Sequence, residues 1–280
     1  MKNPIIIWRG GVAAALALGL ALSLTGCAIG SPDPSPTDTV SQSASASSSL
    51  EPSSSGSGEA VEGRLDYDDQ ADWQFISGQM QSPIDIVSAD AQPMAEGGGA
   101  IQLDYATDPT AMENNGHSIE VADSGSAIID GRSFTLTQFH FHAASEHTID
   151  GQHYPMEAHF VHKAADGRIA VLAVFFELGE ANPGFREVLD EIMPMQYDST
   201  IPHDPPAFTD LMTMIPTDLS YYHYLGSLTT PPLTENVEWY VMKTPVQVSA
   251  DQVTDFAQLY SHNNRDTQPV DGRVVLDHQA

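Results

Sequence analysis

Positive charge is scarce in this sequence: 10 Lys and Arg stand against 38 Asp and Glu over 280 residues, a formal net charge of −28. Phosphate recognition needs clustered Lys and Arg, so nucleic acid is excluded as a partner. Cysteine is almost missing. A single residue, Cys27, rules out an intrachain disulfide framework, a Cys-rich zinc site and a CxxC redox pair. Internal repeats are absent. The apolar run Val12–Leu24 falls short of the ~20 residues that span a bilayer as a helix. What is present is a 41% hydrophobic content, enough for a core, and 11 His. Any metal site must therefore rest on imidazoles and carboxylates.

The first residues read as an address. Lys2 and Arg9 precede the Ala/Leu/Gly run Val12–Leu24, the pattern of a secretory signal peptide. Leu24-Thr25-Gly26-Cys27 resembles a bacterial lipobox, which implies removal of residues 1–26 and lipid attachment to Cys27. Ser31 to about Ala60 is dominated by Ser, Pro, Ala and Gly. Such a segment cannot bury enough surface to offset chain entropy, so residues 27–63 read as an anchor and flexible tether. The protein is expected outside the cytoplasm, held to the cell membrane by lipid.

Residues 64–280 suit one domain with one core. Phe134–His142, Met156–Lys163, Ile169–Leu178 and Val237–Met242 read as strands, and Ile169-Ala-Val-Leu-Ala-Val-Phe-Phe as one buried on both faces. Asn182–Met193 and Ala250–Tyr260 read as helices, the second with Ser249 as N-cap. The expected class is mainly β (α+β): a large, twisted, mostly antiparallel central sheet with short peripheral helices.

The informative stretch is Thr137–Lys163. Side chains alternate along a strand, so Gln138, His140 and His142 share one face, and Glu157, His159 and Val161 share one on the next strand. Asp150-Gly151 is a strong hairpin-turn dipeptide. If those two residues form the turn, Ile149 pairs with Gln152 and His142 with His159, with His140 one diagonal step away. Directly opposed Cβ atoms lie about 4.5–5.5 Å apart, close enough for the rings to converge on one ion. Adjacent imidazoles in an apolar sheet gain little without a shared partner. Gln138 and Glu157, each two residues before a His, can accept a ring N–H and aim the free nitrogen at the metal. His162 faces away and takes a structural role, whereas for His147 and His153 near the turn a surface role and a role at the site stand equal. Neutral His ligands without a fourth protein ligand leave a coordination position open, the pattern of catalytic zinc.

Here the chain resembles the α-class carbonic anhydrases, especially bacterial extracytoplasmic ones. The resemblance rests on Gln81-Ser-Pro-Ile-Asp-Ile86, Asn114-Asn-Gly-His117, Gln138-Phe-His-Phe-His142, Ser145-Glu-His-Thr148, Glu157-Ala-His159, Gly226-Ser-Leu-Thr-Thr-Pro-Pro232 with Glu235 and Trp239, Asn263-Asn-Arg265 and Gln268-Pro269, in family order. It implies a zinc lyase interconverting carbon dioxide and bicarbonate by zinc-hydroxide attack. His140, His142 and His159 would bind zinc, with Gln138 and Glu157 behind them. Thr229 would donate to Glu146 and orient the hydroxide. Val161, Val171, Leu228, Val237 and Trp239 would form the apolar wall for carbon dioxide, with Thr230 beside it. His117 would shuttle the proton to bulk, with Tyr67, Asn115 and Glu120 along the water chain.

Departures from the family include the missing disulfide that often braces the Thr-Thr-Pro-Pro loop, which leaves packing around the prolines to hold it. Glu120 stands where an amide is common. Two other readings compete. His140-Phe-His142 with Glu146 matches the H-x-H-x3-E spacing of cupins, which would make Glu146 a ligand of iron or manganese, although the flanking glycines and downstream motif do not fit. The third is a nonenzymatic surface binding protein on the same fold.

Overall fold

The computed structural model describes residues 65–73, 78–95, 98–105, 108–194, 199–201 and 206–280. They belong to one compact unit, Gly58–Ala280. The leader, Cys27 and the tether lie outside the described residues. In chain order the strands begin with β1 (Asp85–Ile86), β2 (Gln92–Pro93), β3 (Ile101–Asp104), β4 (Ala111–Asn114), β5 (Ile119–Ala122) and β6 (Ser126–Ile129). Then come β7 (Arg132–His142), β8 (Thr148–Ile149), β9 (Met156–Lys163), β10 (Ile169–Leu178) and helix α1 (Pro183–Ile192). After these follow β11 (Ser199–Ile201), β12 (Tyr221–Ser227), β13 (Glu235–Met242), β14 (Val246–Val248), helix α2 (Ala250–Leu259) and β15 (Leu276–His278).

Among the described residues 13 strands form one sheet, whose main path runs β11-β4-β5-β7-β9-β10-β13-β12-β15-β2. Most pairings are antiparallel, as expected, but β10 is flanked by β9 antiparallel and β13 parallel. That central place explains the unbroken apolar run of β10. Ala170, Leu172, Val174 and Phe176 enter one core cluster, while Val171, Ala173 and Phe175 enter another on the opposite face. The first cluster also takes Phe139 and Phe141 of β7, Ala158 and Phe160 of β9, and Phe185 and Phe256 from the two helices. Both helices therefore cover one face. The other face carries Gln138, His140, His142, Glu157 and His159.

The helices start where local chemistry dictates. Asn182 caps α1 by accepting from the Phe185 N–H, ahead of Pro183, and Ser249 with Gln252 forms a capping box on α2.

The hairpin register differs from the expected one. Ile149 and Gln152 do bridge across the Asp150-Gly151 turn. Farther down, however, β7 pairs His140 with His159 and His142 with Glu157, two residues out of step with a simple hairpin. The excess is taken up by 143–148, which leaves the ladder between β7 and the turn. The expected pairing of His142 with His159 is thus overturned, because this loop, not the turn, sets the register.

His162 lies on the helix-covered face, fully buried, as expected of a structural residue. Its Nδ1–H donates to the Ala170 carbonyl at 3.2 Å and Nε2 accepts from the Tyr105 hydroxyl at 2.9 Å. Burial lowers its pKa from 6.5 to about 4. The unfolded ring therefore binds a proton first as pH falls. The stability held by the neutral ring should decline between pH 6.5 and about 4, by at most about 3 kcal/mol. Urea denaturation at several pH values checks this: His162→Phe should be less stable near neutrality yet show a flatter dependence across that window.

Candidate metal centre

Strand geometry brings the three imidazoles together. His140 and His142 leave β7 on one face, and His159 stands opposite His140 on β9. Ring centroids are 5.0 Å apart for His140–His142, 5.2 Å for His140–His159 and 4.6 Å for His142–His159. One nitrogen from each lies within 4.8 Å of the others.

The outward nitrogens are already engaged. His140 Nδ1 meets Gln138 Oε1 at 2.8 Å, His142 Nδ1 meets the Asn263 carbonyl at 2.7 Å, and His159 Nε2 meets Glu157 Oε1 at 2.9 Å. Each acceptor oxygen fixes the proton on the nitrogen it faces, leaving the other nitrogen as a lone-pair donor. His142 Nε2 is buried without a hydrogen-bond partner. Burial, and after it the rings of His142 and His159, hold His140 well below the usual imidazole range. Burial likewise lowers His142. Neutral, preoriented nitrogens converging on one point are the donor set that zinc accepts, so the residues fit the metal.

Glu157 anchors this arrangement. Oε2 accepts the backbone N–H groups of Glu146 and His147, both at 2.8 Å, and Oε1 accepts His147 Nδ1–H at 2.7 Å as well as His159. Burial would raise its pKa. The flanking His147 and His159 outweigh that and hold the carboxylate well below the ordinary range. His147, for which the sequence left a surface role and a role at the site equal, is fully buried, and its Nε2 meets the Tyr224 hydroxyl at 2.7 Å. The loop 143–148 folds inward because Glu157 needs its N–H groups. His147, Glu157 and His159 also form a metal-sized cluster. Those groups are consumed by one another, which leaves the His140–His142–His159 set as the site.

The remaining candidates surround it. Glu146 is fully buried: Oε1 accepts the Arg265 N–H at 2.8 Å, while Oε2 has no hydrogen-bond partner and lies 3.9 Å from His159 Nδ1. It falls outside the convergent ligand set, contrary to a cupin-type site. Thr229 is buried in the 227–235 loop but makes no hydrogen bond to Glu146 among the described residues. His117 sits in the β4–β5 turn, half-buried, with Nδ1 lacking a partner. Tyr67 is buried, with its hydroxyl unpartnered and its pKa raised by burial and then by Glu146. His153, the other of the two left open by the sequence, is exposed. Val171, Val237 and Trp239 share one apolar cluster, with Val161 and Leu228 packed against it, and Thr230, two residues after Leu228, is half-exposed. Trp239 sets its ring 4.9 Å from that of His159.

Hydrogen bonds brace the 227–235 loop. Ser82 N–H donates to Ser227 Oγ at 3.0 Å, Ser227 N–H to Ser82 Oγ at 3.1 Å, and Met80 N–H to Glu235 Oε1 at 2.7 Å. Sequence reasoning also missed Asn263, whose carbonyl orients His142 and whose side chain donates to the Phe141 carbonyl at 2.9 Å. Asn263-Asn-Arg265 was legible only as a motif. Nothing in its spacing points to a histidine 121 positions earlier.

A sequence profile of eukaryotic-type carbonic anhydrases matches residues 68–279. The chain is similar to a carbonic anhydrase of Pectobacterium carotovorum, 38% identical over 219 residues, covering 74% of this chain and 87% of the relative. One from Klebsiella pneumoniae is 40% identical over 206 residues, covering 72% and 81%. Among solved structures it resembles the α-carbonic anhydrase of Thermovibrio ammonificans in complex with sulfanilamide, at TM-score 0.66 and 43% identity, covering 71% of this chain and 87% of that one.

Because Glu157 aims His159, Glu157→Gln should weaken zinc binding by about 10–100-fold while far-ultraviolet circular dichroism stays native. Competition against a chromogenic chelator measures it; an unaltered affinity would contradict the anchoring role.

Proposed function

The chain belongs to the eukaryotic-type, or α-class, carbonic anhydrases, enzymes of reversible carbon dioxide hydration, and from that premise we propose how its own residues carry the reaction. The observation behind the proposal is the convergence of the His140, His142 and His159 nitrogens, each ring held from behind by a different acceptor. Those residues would hold zinc. When bound, zinc(II) supplies a Lewis acid that acidifies water to a nucleophile near neutral pH.

The chain contributes orientation, exclusion and proton handling. Carbon dioxide is neutral and apolar, so the wall of Val161, Val171, Leu228, Val237 and Trp239 suits it better than it suits bicarbonate. Glu146 Oε2 has a free acceptor position. A Thr229 hydroxyl donating there could then only accept from the reacting water, fixing its lone pair toward carbon. His117 would carry the released proton outward. Burial, and after it His142, lower its pKa below 6.5. The ring is therefore neutral at about pH 7, ready to take a proton and quick to release it to bulk.

Attachment to the cell membrane is assigned to Cys27. No helix among the described residues is long and apolar enough to cross a membrane, and the lipobox-like Leu24–Cys27 follows a secretory leader. The tether of residues 27–63 would then hold the enzyme outside the cytoplasm.

His140→Ala should lose zinc and hydration activity together; activity persisting in metal-free His140→Ala protein would refute the site. His117→Ala should retain zinc yet turn over at least about tenfold more slowly in dilute buffer, with recovery on adding imidazole. A rate insensitive to buffer would remove His117 from proton transfer. Cys27→Ser should move the full-length protein from the membrane fraction to the soluble one, which cell fractionation followed by immunoblotting would register.

A further inference from the structure

The row of residues facing the metal continues past His140. Glu120 of β5 lies opposite His140, and Glu113 of β4 lies opposite Glu120. Opposed residues of an antiparallel pair share a face, with Cβ atoms about 4.5–5.5 Å apart. Exposure alternates accordingly: Met112, Asn114, Ile119 and Val121 are buried, whereas Glu113 and Glu120 are half-exposed. Both carboxylates thus open to the side on which His140 stands. Neither makes a side-chain hydrogen bond or ion pair among the described residues. Like charges directly opposed weaken a sheet; burial, and after it Glu113, raises the pKa of Glu120. The parallel row is different: Ala122 faces Gln138, Gln138 faces Val161, and Val161 faces Val171. On this face β4 and β5 thus carry carboxylates in the first row, whereas β9 and β10 carry valines in the second.

A destabilising local choice that no cation among the described residues relieves points to a use at the site. We propose that Glu113 and Glu120 form an anion-excluding rim that sets ligand specificity at the metal, weakening bicarbonate and small inhibitory anions while leaving neutral carbon dioxide unaffected. This inference rests on the zinc assignment above. The carboxylates stand one and two strands from His140, about 5 and 10 Å at the usual strand spacing. Those distances lie within or near the Debye length of about 8 Å at physiological ionic strength, so their field reaches an anion at the metal. It acts on charge alone, which separates it from a steric filter. Bicarbonate, once formed, would also leave more readily.

The test uses zinc-loaded wild-type protein and the double variant Glu113→Gln/Glu120→Gln at about pH 8.5, above the carboxylate range. Calorimetry reads thiocyanate affinity, and steady-state rates give KM for bicarbonate and for carbon dioxide. The double variant should bind thiocyanate about three- to tenfold more tightly and lower KM for bicarbonate by a similar factor. Its KM for carbon dioxide should move less than about twofold, and the thiocyanate difference should close at ~1 M ionic strength, where the Debye length is about 3 Å. Equal thiocyanate affinity in the two zinc-loaded, active proteins overturns the inference alone. So does a difference that survives high salt, or an equal change in KM for carbon dioxide. A loss of turnover rescued by buffer, with anion affinity unmoved, would make the pair a proton relay and overturn the rim as well. Wild-type protein that holds no zinc overturns the metal assignment, and this inference with it.

Discussion

Glu157 binds the two halves of the site into one object. Its buried carboxylate accepts two backbone N–H groups from the loop after β7 and two ring N–H groups, one from His147 and one from the metal-facing His159. A buried carboxylate is costly unless every lone pair is used. Here the cost is met by groups that the site must position anyway. The same contacts that solvate Glu157 pull Glu146 and His147 inward and turn His159 so that one nitrogen remains free.

The sheet then divides labour by parity. Residues of one parity along β7, β9 and β10 pack with both helices into an aromatic-rich core. Those of the other parity make the metal centre and the apolar wall. The doubly buried β10 pairs directly with β9, with Ala173 opposite His159, so the histidines stand on regular sheet rather than on loops. The second core cluster serves both as fold stabiliser and as the surface on which a small neutral molecule can rest. That is why Val171, Val237 and Trp239 can be read equally well as core or as pocket.

Electrostatics around the centre is layered. Ring acceptors lie directly behind the ligands, the Glu146–Arg265 backbone contact fixes a carboxylate beside them, and two glutamates without an ion-pair partner among the described residues stand farther out along the same row. Each layer acts on the centre over a different distance. The inner one selects tautomers and the middle one leaves an acceptor for a hydroxyl. The outermost one discriminates by charge.

Much of this was legible in the chain alone. Period-two alternation placed His140, His142 and Gln138 on one face and identified β10 as doubly buried, because side-chain direction in a strand follows from backbone geometry. The Ser249 cap of α2 was visible for the same local reason. The metal-facing trio was recoverable despite a wrong register, since parity does not change when pairing slips by two residues. Sequence could not supply that slip, the burial of His147, the orienting carbonyl of Asn263, the hydrogen-bonded brace of a loop without cysteine, or the opposition of Glu113 to Glu120 and of Glu120 to His140. These all depend on which distant segments lie side by side, and backbone groups carry no side-chain signature to announce their partners. Local periodicity determined which residues look the same way; only tertiary packing, through the demand that buried polar groups find partners, decided what they look at.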